Sequence, residues 1–268
     1  AGGSMAAIYV CIFVFGLITG ACINIIIYRI PRGVSVVSPP SCTACGKRLA
    51  VADLIPVFSY IFSRGRCRYC RVQISPRNLL TELLTAAVFA VLFARFGFTV
   101  PFFAFTYLMI ILIAVFFIDI DHRIIPNGLV LAAMAGGLLF FVYNCIDPMP
   151  EIFGDNRWWT PLAGIFPGSV FLLLMSILGS MIYGTGDVMG MGDVKLMAPV
   201  GLFLGWKLCI AAMVSSVLLG GIASILLMLF GIKKRKDKIA FGPFIVIGAF
   251  VTIMWGWELA DLFFTYIG

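Results

Sequence analysis

The chain has 268 residues, of which 62% are hydrophobic and only 12% charged, with a mean hydropathy of +1.10. A soluble domain carries about twice that share of charge, and a chain this short cannot hide so much apolar surface in a core of its own. A soluble enzyme, a disordered chain and a secreted disulfide scaffold are excluded; a polytopic helical membrane protein remains, and the net charge of +7 reads as topology signal, with no nucleic-acid partner expected.

The four residues Ala1–Ser4 ahead of Met5 are read as an addition and stay outside the fold reasoning. Met5–Tyr28 is an uncharged run long enough to cross a bilayer, which takes about 20 residues. It is too long for a signal peptide, lacks a basic leading segment, and runs straight into a loop rich in Arg and Lys.

That loop, about 31–78, is the only sizeable polar segment. It carries Cys42-Thr-Ala-Cys45 and Cys67-Arg-Tyr-Cys70, with 21 residues between the pairs. Two Cys-x-x-Cys turns at that separation form a zinc-ribbon pattern, because four thiolates satisfy tetrahedral Zn²⁺. Gly46, one residue past the first pair, suits the tight turn. Two disulfides or four free thiols are the alternatives, and a cytoplasmic loop disfavours disulfides. With all four positions filled by protein, the metal is expected to be structural and largely to fold the loop. Cys11, Cys22, Cys145 and Cys209 sit in apolar runs without such spacing and read as small buried hydrophobes.

Further along, Leu79–Ala94 is apolar apart from Glu82, and Phe96–Ile118, Ile124–Ile146, Trp158–Gly186, Leu208–Ile232 and Ile239–Trp257 are each long enough to span. Leu196–Trp206 is short and contains Pro199, Gly201 and Gly205. Counting both weaker segments predicts eight spans in an all-α bundle. With the N-terminus outside, segments 29–78, 119–125, 184–195 and 233–238 face the cytoplasm and hold sixteen of the nineteen Lys and Arg residues. Only Arg95, Arg157 and Lys207 fall on the other side, which is a strong positive-inside pattern. Omitting the short span would move the 233–238 basic cluster outside.

Carboxylates at membrane depth are expensive and functional by default. Asp119 and Asp121 close the Phe96–Ile118 span at its cytoplasmic side, in Ile118-Asp-Ile-Asp-His-Arg-Ile-Ile-Pro-Asn127. Asp187 and Asp193 lie in the glycine-rich stretch Gly184-Thr-Gly-Asp-Val-Met-Gly-Met-Gly-Asp193, on the same predicted membrane face. Two carboxylates brought together from distant segments suit aspartyl protease chemistry, in which the pair shares one proton. Solvated charges at helix ends, or a proton relay in a transporter, would use the same residues.

Taken together, these segments resemble the type IV prepilin peptidases, a family of bifunctional leader peptidases and N-methyltransferases. The likeness covers almost the whole chain from Met5. It rests on Gly20-Ala-Cys-Ile-Asn24 leading into Tyr28-Arg-Ile-Pro31, the paired cysteines, Ile74-Ser-Pro-Arg77 followed by Glu82, Asp119–Asn127, and Gly190-Met-Gly-Asp193. The last is a Gly-x-Gly-Asp motif shared with presenilin-type and preflagellin peptidases. Ala21 and Asn78 depart from the commoner Ser and aromatic at their positions.

The resemblance implies catalytic Asp119 and Asp193, with motif glycines Gly190 and Gly192. Asp121, Asp187, Lys195 and Glu82 become accessory: Asp121 as the competitor of Asp119 for the first catalytic position, Lys195 as a tuner of the dyad or a substrate-backbone ligand, and Glu82 as a participant in methyl transfer that orients an ammonium or, equally, as a charge near the N-terminus of its span. His122, the only histidine, is expected to be a solvated loop residue. The implied zinc ligands are Cys42, Cys45, Cys67 and Cys70. The implied organisation is a first helix (5–30), a cytoplasmic zinc and methyltransferase loop (31–78) and a transmembrane peptidase region (79–268) in the bacterial inner membrane. Prepilins or pseudopilins would be cleaved after a glycine, and the new N-terminus methylated with S-adenosylmethionine. A presenilin-type protease of other specificity would not need the cysteines, and a transporter would be expected to show internal repeats and midplane carboxylates.

Overall fold

The computed structural model describes residues 2–42, 44–50, 55–183, 190–232 and 239–267. Among them the chain is helical, and the only strand-like pairings are the isolated bridges Ser41–Arg48 and Arg66–Gln73. The chain folds as two units divided after Phe102.

In the first unit, helix α1 (Gly2–Arg29) packs on α3 (Pro76–Phe96). The contact is made by Gly16 and Gly20, four residues apart on one face of α1. A Cβ on Gly16 would lie 2.6 Å from the Ala86 Cα, and one on Gly20 would lie 2.6 Å from the Glu82 Cα. Lipid supplies no hydrophobic drive between helices, so close backbone approach over small residues does that work. Between the two helices lie a 3-10 turn (Ile30–Arg32) and the short helix α2 (Phe58–Phe62). The loop departs from α1 under the control of Arg29, a buried guanidinium. It donates to the carbonyls of Ser35, Val36, Ser38 and Pro39 at 3.2, 2.9, 2.5 and 2.9 Å.

The second unit contains most of α4 (Val100–His122), then α5 (Asn127–Ile146), the single turn α6 (Pro150–Phe153), α7 (Thr160–Tyr183), α8 (Met191–Leu229) and α9 (Gly242–Ile267). Helix α8 has 39 residues, about 58 Å if straight at ~1.5 Å per residue, roughly twice a hydrocarbon core. It is not straight: Gly205 takes φ 73° and ψ 171° and interrupts it. The first piece starts at Met191, carries Asp193 in its first turn, and ends with Gly205 against Phe153 and Thr160, beside α6 and the start of α7. The second piece returns along the first, because a Cβ on Gly201 would lie 3.0 Å from the Cys209 sulfur, eight residues on; α9 runs antiparallel to this second piece, with Gly256, Gly248 and Phe244 facing Leu208, Ser216 and Gly220 in that order. The segments Leu196–Trp206 and Leu208–Ile232 thus form one element that doubles back at a left-handed glycine, a conformation other residues adopt only with strain.

Helices α7 and α8 meet through a second glycine pair set. Gly164 lies against Gly201 and Gly205, and Gly168 lies against Met197 and Cys209. A side chain at Gly164 or Gly201 would overlap the other's carbonyl.

Six of the described helices are long and apolar enough to cross a membrane, and Gly242–Glu258 is a shorter apolar helix. Their outward faces carry Leu139, Ile182 and Leu229 at 74 to 76% exposure. Such faces would be insoluble in water and are at home in lipid. Three of the cysteines expected to be buried share this exposure. Cys11, Cys22 and Cys145 are exposed and only Cys209 is buried, since hydrocarbon accepts a thiol as readily as a protein core does.

Candidate active site and metal centre

The candidate metal centre is local. Cys42, Cys45, Cys67 and Cys70 bring their sulfurs within 4.8 Å of one another, and the Cys42 and Cys70 sulfurs are 3.8 Å apart. Tetrahedral coordination at ~2.3 Å per bond sets sulfur–sulfur separations of about 3.8 Å. All four are free thiols, so the cluster fits a metal ion of the thiolate-preferring kind.

Each half is the same small hairpin. The Cys42 N–H donates to the Lys47 carbonyl (2.9 Å), the Gly46 N–H to the Cys42 carbonyl (2.9 Å), and the Leu49 N–H to the Pro40 carbonyl (2.9 Å). Twenty-five positions on, Cys67, Arg71 and Ile74 donate in the same way to Val72, Cys67 and Gly65, at 2.8, 2.9 and 2.7 Å. The residue after the second cysteine is left-handed in both, Gly46 at φ 70° and Arg71 at φ 61°. Glycine suits that position and arginine is strained there. The N–H groups of Cys45 and Ala44 hold the Cys42 thiol down at about 6. Cys70 is lowered by the Val72 N–H, but burial and the Cys67, Cys45 and Cys42 thiols outweigh this and push it up to about 11.

The loop is tied to the helix pair by Glu82. Its Oε2 accepts the Val57 N–H at 2.8 Å. Val57 sits at the start of α2 with φ 62°, an unusual state for a β-branched residue. Asn24 also bonds Glu82 and donates to the Asn78 carbonyl at 3.0 Å. Glu82 therefore orients α2, whose Phe58 and Phe62 line a groove of about 1110 Å³ with Arg64, Arg66, Arg68 and Arg71.

The carboxylate site is assembled from distant segments of the second unit. Asp119, in the last turn of α4, is 5% exposed, and Asp193, in the first turn of α8, is 7% exposed. The two interact electrostatically. Helix α4 ends just beyond, where the Arg123 N–H closes on the Asp119 carbonyl (2.9 Å) with Arg123 at φ 54°. The Arg123 charge also acts on Asp119. Gly192 leaves room for Ile125, whose side chain would lie 3.0 Å from a Cβ there. Lys195 Nζ donates to Asn127 Oδ1 at 3.3 Å. The Asp119–Asn127 and Gly190–Lys195 segments thus dock on each other. Gly190 precedes α8, and a Cβ on it would come within 3.3 Å of Asp193 Oδ2.

Asp121 and His122 are exposed. Lys195 is exposed as well and bonds Asn127. Asp187 falls at 184–189, outside the described residues, as does the basic cluster 233–238. One neighbour escaped the sequence reading. The Gly242 N–H, in the first turn of α9, donates to Asp119 Oδ2 at 3.0 Å. Phe241-Gly242-Pro243 is legible as a helix start, but nothing in the sequence says that this start meets a carboxylate 123 residues away.

Residues 14–96 match the bacterial peptidase A24 N-terminal domain family, and residues 106–225 match the type IV leader peptidase family. Among its relatives, the prepilin leader peptidase/N-methyltransferase of Bacillus subtilis (strain 168) is 32% identical over 251 residues, covering 91% of this chain and 93% of that one. The protein of the same description from Aeromonas salmonicida (strain A449) is 30% identical over 272 residues, covering 91% and 90%. That of Pseudomonas aeruginosa is 27% identical over 291 residues, covering 98% and 95%. No solved structure matches.

Proposed function

The chain belongs to the type IV leader peptidase family, and from that premise we propose that it cleaves the leader of prepilins or pseudopilins with Asp119 and Asp193 and then methylates the new N-terminus. The observation that carries the reading is the burial of these two carboxylates in mutual electrostatic range, on segments locked together by Ile125 on Gly192 and Lys195 on Asn127.

In this reading one carboxylate takes a proton from water as the water oxygen bonds to the scissile carbonyl carbon. The other carboxyl, protonated at the start, gives its proton to the carbonyl oxygen. The resulting diol collapses: the carbon–nitrogen bond breaks, the amine takes the proton held by the first carboxyl, and one diol hydroxyl returns a proton to the second. Both carboxyls end as they began. Cleavage falls after a glycine at the cytoplasmic membrane face. Asp121, Asp187 and Lys195 are accessory, Lys195 by holding Asn127.

The four cysteines hold zinc, which folds the loop and takes no part in proteolysis, because four thiolates leave it no open position. S-adenosylmethionine, when bound, supplies an electrophilic methyl group to the free amine. The groove beside Cys67 fits it: Phe58 and Phe62 offer faces to an adenine, and the arginines offer partners to a carboxylate. Glu82 serves there by positioning α2. The chain is organised as a first helix (5–30), the metal loop (31–78) and the peptidase region (79–268). It crosses the bacterial inner membrane eight times, counting α8 twice, with the N-terminus outside and both sites facing the cytoplasm.

The test is mass spectrometry of a prepilin co-expressed with this protein. Loss of the leader together with one added methyl group is expected. An uncut prepilin in the presence of folded protein contradicts the reading.

A further inference from the structure

Residues that touch a reacting carboxylate matter as much as the carboxylate, and Gly242 touches one. It stands at the first position of α9, where the N–H has no partner within the helix. That N–H is spent on Asp119 Oδ2, and the bond is buried. There is no room for anything larger: a Cβ on Gly242 would lie 2.6 Å from Oδ2, 3.1 Å from the carboxyl carbon and 3.3 Å from the Asp119 Cβ. Pro243 follows and fixes the backbone at the next position of the first turn. The arrangement is selective as well. Gly221 on α8 and Gly128 at the start of α5 have open space where a Cβ would go.

We propose that Gly242 is a positioning residue for the peptidase reaction: its N–H holds one oxygen of Asp119, and its missing side chain lets the carboxyl sit there. With Oδ2 occupied as an acceptor, Oδ1 is the oxygen left to exchange a proton with water. A carboxyl free to turn about its χ2 axis would offer both oxygens equally, so the bond selects one productive orientation. Arg123, one residue past the end of α4, and Asp193 on α8 are the charged neighbours that bias this carboxyl electrostatically, and Gly242 is the donor from α9 that bonds it directly. The inference rests on the dyad proposed above.

The experiment is steady-state cleavage of a prepilin by the full-length protein in lipid, comparing wild type with Gly242→Ala, Gly221→Ala and Asp119→Asn. Gly242→Ala is expected to lower kcat about 10²-fold, the cost of displacing a reacting group by about 1 Å, while KM stays within about threefold. Gly221→Ala is expected to match wild type. A Gly242→Ala protein with wild-type kcat, or with a defect confined to KM, overturns the positioning role. Hydrogen exchange at the Gly242 amide tests the bond without relying on the folding of that variant. Protection in wild type that is lost in Asp119→Ala is expected, and unchanged exchange overturns the proposal. The dyad has its own readout: if Asp119→Asn cleaves like wild type, the dyad reading fails, whatever Gly242→Ala does.

Discussion

The two chemical centres of this protein are built in opposite ways. The thiol cluster is made from two copies of one local hairpin, each closed by hydrogen bonds spanning a few residues, and a metal ion would have only to join them. The carboxylate site has no local frame. Asp119, Asp193 and Gly242 come from α4, α8 and α9, and they meet only if the intervening helices pack correctly. A centre of the first kind is written in spacing and should fail locally. A centre of the second kind is written in packing, and mutations far from the chemistry can disable it.

The largest expected effect lies on the carboxylates. Asp119→Asn and Asp193→Asn should each abolish leader cleavage, at least ~10³-fold, because neither half of an acid–base pair works alone. Asp121→Asn, on an exposed side chain, should keep measurable cleavage. A dead Asp121→Asn beside an active Asp119→Asn would move the first catalytic position by two residues. Cleavage of a synthetic prepilin by purified protein reads all three.

Next comes the packing beneath that site. Gly201→Leu forces a side chain into the Gly164 carbonyl. Overpacking of this kind costs roughly 1–3 kcal/mol, and here it also pushes α7 away from α8. Cleavage and thermal stability should fall together, while purified protein keeps its bound metal. Loss of the metal would show that the two centres are not separable.

The converse variant is Cys42→Ser. It should release the metal and leave the loop open to protease, since a thiolate site of this type contributes on the order of 10 kcal/mol to folding its segment. Elemental analysis and limited proteolysis check this. A metal content equal to wild type would end the four-thiolate assignment.

The smallest effect sharpens the comparison from inside the loop. Arg71 holds the left-handed position that Gly46 holds in the other hairpin. Arg71→Gly should make the second hairpin match the first and slow metal loss to a chelator, by about 0.5–1 kcal/mol in retention. Faster loss would mean that the Arg71 side chain itself supports the cluster.

This contrast also sets how much was visible in the sequence. The cysteine pairs, the apolar runs and the two aspartate segments stand out without any structure, because spacing and hydropathy are one-dimensional signals. The first-helix residues Gly20, Asn24 and Arg29 were visible as a motif but not as a device. Only the packing reveals that Gly20 admits Glu82, Asn24 ties down Asn78, and Arg29 gathers four loop carbonyls. The weak span Leu196–Trp206 was identifiable from charge balance, yet its merger with the next span at Gly205 depends on a backbone angle that composition does not encode. Gly242 was beyond reach for a similar reason. A glycine before a proline marks a helix start, and the carboxylate it meets belongs to another helix.

The most direct test of the central claim, that proteolysis belongs to the carboxylates and methyl transfer to the metal loop, is a two-substrate assay on Asp193→Asn protein. Full-length prepilin and a pilin with its leader already removed are each offered with labelled S-adenosylmethionine, and both products are weighed by mass spectrometry. The account predicts an uncut prepilin and a methylated pre-cleaved pilin. A cut prepilin, or a folded, metal-bearing protein that no longer methylates the pre-cleaved pilin although wild type does, would contradict it.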